Sequence, residues 1–113
     1  MAAIINGGIV ARATPIANTN ADVVLPAATN TIYQIQSIIA SYSGVPTGGR
    51  LGVLSGSTIV FDVDVVAGGL IPLPKLDISD DVPGTAMTVR LFAGGVGIVG
   101  KLTVSYVPAV ISQ

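Results

Sequence analysis

Alternation of apolar and polar residues, which is typical of β-strands, dominates this chain. In the clearest case, Ser57–Val66, one face carries Asp62 and Asp64 beside two valines, and the opposite face is wholly apolar, with Ile59, Phe61, Val63 and Val65. A period of two predicts a strand with one face in the core. Thr85–Phe92 and Ile98–Val107 repeat the pattern. These three segments form the framework of the predicted fold.

Further strands are predicted in the first half of the chain, over Ile9–Thr14, Ala21–Pro26, Thr31–Tyr42 and Arg50–Leu54. The third of these also has isoleucines at helical spacing, but its β-branched residues and serines favour a strand over a helix. The fourth turns at Ser55-Gly56 into the next strand and forms a hairpin.

Glycine and proline mark the connections. Gly44–Gly49 and Val82-Pro83-Gly84 predict turns, and the prolines of Leu70–Pro74 confine that stretch to an extended loop or a sheet edge. About eight short strands without crossover helices indicate an all-β, antiparallel β-sandwich with jelly-roll-like topology.

The length of the chain suits a single domain, since 113 residues can enclose one core. We expect residues 1–20 to form an N-terminal arm or an edge strand, residues 21–108 to form the β-sandwich, and residues 109–113 to form a C-terminal tail.

Charge is scarce. Half of the residues are hydrophobic, at 50%, and only 10% are charged, with a formal net charge of −1, against about 25% charged residues in an ordinary soluble domain. So few charges leave apolar patches open to partners, which predicts a homo-oligomer or a component of an assembly. The scattered basic residues argue against binding to nucleic acid. The apolar runs are too short for membrane insertion, and without a basic secretory start we expect cytoplasmic synthesis.

The chemistry of the sequence argues against catalysis. The chain has no His and no Cys, which removes the commonest general base, metal ligand and thiol nucleophile. We therefore expect no catalytic residue, no cofactor and no metal site. Gly95–Gly100 matches the dinucleotide motif G-x-G-x-x-G, but a strand follows it where that motif opens a helix, so it predicts a turn with positive φ angles.

The aspartates leave an alternative open. Asp62 with Asp64, or the cluster formed by Asp77, Asp80 and Asp81, has oxygen ligands for Ca²⁺, but the spacing matches no EF-hand loop. Glycoside hydrolysis by paired carboxylates is disfavoured because the chain has no Trp to line a sugar cleft. Pairing of these carboxylates with basic residues on other strands or subunits is the favoured interpretation.

Candidate interface residues lie in three places. An arm containing Ile4, Ile5 and Ile9 adjoins the flexible Gly7-Gly8 and would order on binding. The proline-bearing stretch either packs beneath the sandwich or contacts a neighbour through its apolar residues Leu70, Ile71 and Leu73. Arg50 and Arg90 are expected to make ion pairs between strands or between subunits, because charges in a tight assembly need partners.

Two regions of the sequence carry a family resemblance: Ile35–Ile38 continuing through Ser41–Leu51, and Leu91–Val104. Over roughly Ala21–Val107 the chain resembles small virion proteins of tailed bacteriophages, of the jelly-roll capsid decoration (cement) type. The resemblance implies a homotrimer in the virion that binds the major capsid protein and stabilises the capsid shell, and it carries over no catalytic residue.

Other functions remain as alternatives. A head-fibre or tail-fibre module would bind a host surface ligand, but such a tip should present aromatic groups in loops, and Tyr33, Tyr42 and Tyr106 all fall in predicted strands. A cellular carbohydrate-binding or adhesive sandwich would be stabilised by sugar. An enzyme would lose turnover when Asp62 or Asp64 is changed.

Overall fold

The structure is a computed structural model, and the residues that it describes form ten β-strands. The structure describes residues 4–5, 8–73, 78–79 and 82–110, with side chains from residue 9 onward. The strands are β1 (Ile4–Ile5), β2 (Gly8–Ala13), β3 (Ala21–Leu25), β4 (Thr31–Tyr42), β5 (Arg50–Ser55), β6 (Thr58–Asp64), β7 (Gly69–Leu73), β8 (Ile78–Ser79), β9 (Met87–Leu91) and β10 (Gly100–Val110).

The strands form two antiparallel sheets. The larger sheet has the order β1-β2-β10-β4-β7, with β8 also paired to β4, and the smaller sheet has the order β3-β9-β5-β6. Apart from the β5–β6 hairpin, successive strands from β2 to β7 lie in different sheets, so the chain repeatedly crosses the sandwich. This order confirms the predicted all-β sandwich with jelly-roll-like topology.

The core lies between the two sheets and is built from alternate residues of each strand. In β9, Met87, Val89 and Leu91 are fully buried, and in β10, Leu102 and Val104 occupy the facing layer. Both faces agree with the sequence pattern. The β-branched and long aliphatic side chains that gave the alternation therefore also fill the space between the sheets.

A β-bulge in β4 explains the isoleucine spacing that resembled a helix. Ser37 pairs with Ser105 and Ile35 pairs with Tyr106, so Gln36 is an extra residue in the ladder. Such a bulge reverses which alternate residues face inward. As a result Ile35 and Ile38 are both buried, although they are three residues apart. The segment is a strand, as predicted.

The prediction that one face of Ser57–Val66 lies in the core holds for Val65, which is buried, and for Phe61, which packs against the core. It is wrong for Ile59 and Val63, which are exposed. Strand β6 is the last strand of the smaller sheet. A bulge also places Ile59 opposite Leu54 although Phe61 pairs with Val53, which reverses the alternation. An edge strand has a neighbour on one side only, so the apolar alternation did not require burial.

The proline-bearing stretch forms an end strand of the larger sheet. Strand β7 is the end of the path through the larger sheet and pairs with β4, which agrees with its predicted exclusion from the sheet centre. At the chain ends, β1 and β2 extend the larger sheet, and β10 continues to Val110, which pairs with Thr31. Ala109 and Val110 are thus part of a strand, whereas the sequence analysis placed them in a tail.

Candidate interaction surfaces

Four connections between the two sheets meet at one end of the sandwich. They are residues 14–20, 43–49, 65–68 and 92–99. The strand registers require this, because Tyr42 pairs with Gly100 and Gly69 in the larger sheet, and Leu51 pairs with Leu91 and Val63 in the smaller one. We call this end the crossover end.

Backbone hydrogen bonds join the connections of the crossover end to one another. The donor–acceptor distances are 2.9 Å from Asn18 N to Ile98 O, 2.9 Å from Ser43 N to Val99 O, 2.7 Å from Thr47 N to Gly94 O and 3.0 Å from Val65 N to Gly49 O. Each connection therefore shares at least one bond with another. Loops that satisfy one another's backbone groups are held in one arrangement.

The crossover end carries no charged residue. Residues 14–20, 43–49, 65–68 and 92–99 contain no Asp, Glu, Lys or Arg. Each connection nevertheless exposes a large aliphatic side chain, and the exposed fractions are 80% for Ile16, 72% for Val45, 82% for Val66 and 91% for Val96. We call these four side chains the apolar tip. Exposed aliphatic groups concentrated on rigid loops are typical of a surface that binds another molecule.

The hydroxyl group of Tyr42 links the two sheets beneath the apolar tip. It donates a hydrogen bond to the carbonyl oxygen of Phe92 at 2.6 Å and accepts one from the backbone N–H of Arg50 at 3.3 Å. The ring is buried. Burial raises the pKa of the Tyr42 phenol above its ordinary value of 10.0, and the hydrogen bond from Arg50 opposes this effect.

Tyr42→Phe is expected to lower the free energy of unfolding by about 1–2 kcal/mol, because two buried backbone groups lose their partner. The raised pKa means that the folded state retains the phenolic proton more tightly than the unfolded state. The stability from this group is complete below pH 10.0 and is lost as the pH rises through the raised pKa. Urea unfolding should therefore show a clear difference in the free energy of unfolding between wild type and Tyr42→Phe at pH 8. This difference should become smaller at alkaline pH. An unchanged separation would contradict this role.

The outer face of the smaller sheet carries two ion pairs around one aromatic ring. The Nε atom of Arg50 lies 2.8 Å from Asp62 Oδ2, and the Nε atom of Arg90 lies 2.8 Å from Asp22 Oδ1. Both guanidinium groups also lie over the Phe92 ring, at 5.0 Å and 5.6 Å from its centroid. The predicted inter-strand ion pairs are thus present within the chain. They stabilise the sheet modestly, because they are partly exposed.

The G-x-G-x-x-G segment is the turn between β9 and β10. Gly95 and Gly97 have φ angles of 105° and 77°, which favour glycine. Gly100 begins β10, and a Cβ atom there would lie 2.9 Å from Leu91 Cδ2. The glycines therefore allow the turn and the close packing of Leu91. The segment is followed by strand β10 and not by a helix, as the sequence predicts.

The other predicted interface residues are divided between surface and core. Leu70 points outward and is 68% exposed, whereas Ile71 and Leu73 point inward and pack against the core. Ile9 is half-buried in β2, and Ile4 and Ile5 form β1, whose side chains are outside the described part. The structure therefore does not bring these residues together into one surface.

The part of the chain that the structure describes holds no group of three or more His, Cys, Asp or Glu residues that could bind a metal ion. Asp77, Asp80 and Asp81 lie outside that part. A shallow depression of about 250 Å³ at the far end is lined by Ala27, Ala28, Thr29 and Gly84, none of which is charged. Within the described ranges, no helix is long and apolar enough to cross a membrane.

Comparison with models of known protein families finds no match to this chain, and a search of curated proteins finds no match either. The interpretation of its surfaces therefore depends on their own geometry and composition.

The sequence alone does not reveal the apolar tip. Its four residues fall in segments that glycine, proline and asparagine mark as turns, and such a segment predicts a connection and not an interface. The sequence nevertheless contained an indication, since each of these segments has an aliphatic residue and no charged one. Only the strand order shows that the four segments meet.

Proposed function

We propose that this chain is a non-enzymatic structural protein that binds other protein surfaces, and that it is a capsid decoration (cement) protein of a tailed-bacteriophage virion. The observation that carries the proposal is the uncharged crossover end with its apolar tip. In this proposal the tip contacts the major capsid protein, and the bound protein stabilises the capsid shell.

The tip has the properties that favour a stable contact between proteins. Burial of its aliphatic side chains removes apolar surface from water, and the absence of charge means that no ion must be desolvated on binding. The hydrogen bonds between the connections fix the loops before binding. Binding therefore costs little conformational entropy in these loops, which favours affinity.

The resemblance to jelly-roll virion proteins supports the same assignment, and it implies a homotrimer. Three features agree with a passive role in an assembly: the scarcity of charge, the absence of His and Cys, and the rigid apolar loops. The protein would be made in the host cytoplasm and would reside in the virion.

Val96→Asp and Val45→Asp are expected to reduce binding to capsid shells by about tenfold or more, because each buries an unpaired carboxylate in the contact. Binding is measured by co-sedimentation with purified shells assembled without this protein. Val110→Asp is the matched control, since Val110 is 76% exposed at the opposite end of the sandwich. Binding by the wild type and the control, with loss in both tip variants, supports the proposal.

The proposal fails if the wild type does not sediment with shells, or if the tip variants bind as tightly as the control. Binding of the wild type to intact host cells, without binding to shells, would favour a fibre module that recognises a host surface ligand.

A further inference from the structure

Charge is segregated between the two sheets. In the part of the chain that the structure describes, all the acidic residues lie on the smaller sheet: Asp22 in β3 and Asp62 with Asp64 in β6. The described strands of the larger sheet contain no Asp or Glu. They contain Arg12 in β2 and Lys101 in β10, both exposed.

Arg12 and Lys101 are neighbours on the outer face of the larger sheet. Arg12 pairs with Thr103, and Lys101 lies two residues before Thr103 on the same strand. This diagonal relation brings the two side chains within reach of each other, at roughly 7–8 Å between the Cα atoms. Neither has an ion-pair partner among the described residues. Within the described ranges, the outer face therefore carries two adjacent positive charges without an ion-pair partner.

Exposed apolar groups lie beside these cations. Ile39 pairs with Thr103, so it lies two strands from Arg12 with β10 between them. Leu70 pairs with Ser41, so it lies two strands from Lys101 with β4 between them. Both are exposed, Ile39 at 46%. The outer face thus combines an apolar strip along β4 and β7 with a basic strip along β2 and β10. We call this combination the basic face.

The edge of the smaller sheet has the complementary character. Asp62 is neutralised by Arg50, but Asp64 has no ion-pair partner among the described residues. The same strand exposes Ile59, Val60 and Val63, and β6 ends the strand order of its sheet. We call β6 with these side chains the acidic edge. Within the described part, it offers exposed aliphatic side chains, one negative charge without an ion-pair partner and a strand with a neighbour on one side only.

We propose that copies of this chain associate head to tail, with the acidic edge of one copy against the basic face of the next. Asp64 pairs with the cations Arg12 and Lys101 of the neighbouring copy, and the aliphatic side chains of β6 pack against Ile39 and Leu70. The inference deepens the oligomeric part of the proposed function and rests on it.

A second copy fits better than an unrelated strand at this edge. Among the described residues, the charges that lack ion-pair partners are negative on one surface and positive on the other, so one copy supplies what the next one needs. The two surfaces differ, which makes the contact heterologous, and heterologous contacts close into rings when the rotation allows it.

The interface is tested by exchanging its charges and measuring the solution mass by light scattering over about a hundredfold dilution. Asp64→Lys places like charges together, and Lys101→Glu does the same from the other side. Each single variant should dissociate at concentrations at least about tenfold higher than the wild type. The double variant Asp64→Lys with Lys101→Glu should recover most of the lost association. Thr29→Lys, at the far end of the sandwich, controls for an added lysine.

Salt gives an independent readout. The wild-type oligomer should dissociate more readily as ionic strength rises from about 50 mM to 500 mM, because the pairs are screened. A monomeric wild type at every concentration, or single variants that stay associated like the control, would overturn the inference. A double variant as dissociated as the single ones would also overturn it.

The result is separate from that of the shell-binding experiment. Val96→Asp is expected to retain the wild-type mass although it no longer binds shells. Charge-exchange recovery without any shell binding would leave the contact between copies established and the capsid assignment refuted.

Discussion

Leu91→Ala is expected to lower the free energy of unfolding by about 3–4 kcal/mol, because the methyl groups that it removes leave a cavity the surrounding strands cannot fill. Leu91 is fully buried and pairs with Ala21 on one side and Leu51 on the other. Its Cδ2 atom also fills the space above Gly100. The residue thus contacts both sheets close to the crossover end.

A loss of this size is a large fraction of the roughly 5–15 kcal/mol that stabilises an ordinary domain. Urea unfolding measures it. Ile16→Ala is the control, since it removes a similar aliphatic group from a side chain that is 80% exposed, and we expect a change within about 0.5 kcal/mol. Similar losses in the two variants would show that the core is not where the structure places it.

Gly49→Ala is expected to lower the free energy of unfolding by about 2–3 kcal/mol through a steric clash. A Cβ atom at Gly49 would lie 2.5 Å from the carbonyl oxygen of Val65 and 2.8 Å from Pro46 Cγ. The clash involves backbone, which cannot rotate away. The two connections would have to separate, which would strain the hydrogen bond from Val65 N to Gly49 O.

Gly48→Ala is the neighbouring control. Gly48 has a φ angle of 71°, and a Cβ atom there would meet nothing within 4 Å, so alanine should cost only about 1 kcal/mol of backbone strain. Thermal unfolding of both variants distinguishes a clash from a conformational penalty. If Gly48→Ala were the more damaging change, the close approach of the two connections would be refuted.

Most strands of the fold could be predicted because their alternation reflects a buried face. Thr85–Phe92 and Ile98–Val107 follow the rule, and the structure buries the residues that the pattern selects. The same rule failed for Ile59 and Val63 in Ser57–Val66, because alternation reflects the chemistry of a strand and not its place in the sheet. Strand β6 is an edge because it pairs with β5 and with no second strand in the order of its sheet, and that order is a property of the whole topology.

Bulges are the second limit on prediction. The extra residue at Gln36 shifts the inward face of β4 and makes a strand look helical in sequence. The ion pairs of Arg50 and Arg90 could be expected from the scarcity of charge, but not their exact partners. Arg50 bonds Asp62 although Asp64 is its direct neighbour across the strands.

The crossover end separates the residues that stabilise the protein from those proposed to recognise a partner. The core is made by strands, and the apolar tip is made by connections whose side chains point away from it. Mutations at Ile16, Val45, Val66 and Val96 can therefore accumulate without a large loss of folding. A lineage carrying this sandwich could adapt to a changed binding partner one loop at a time while keeping the same scaffold.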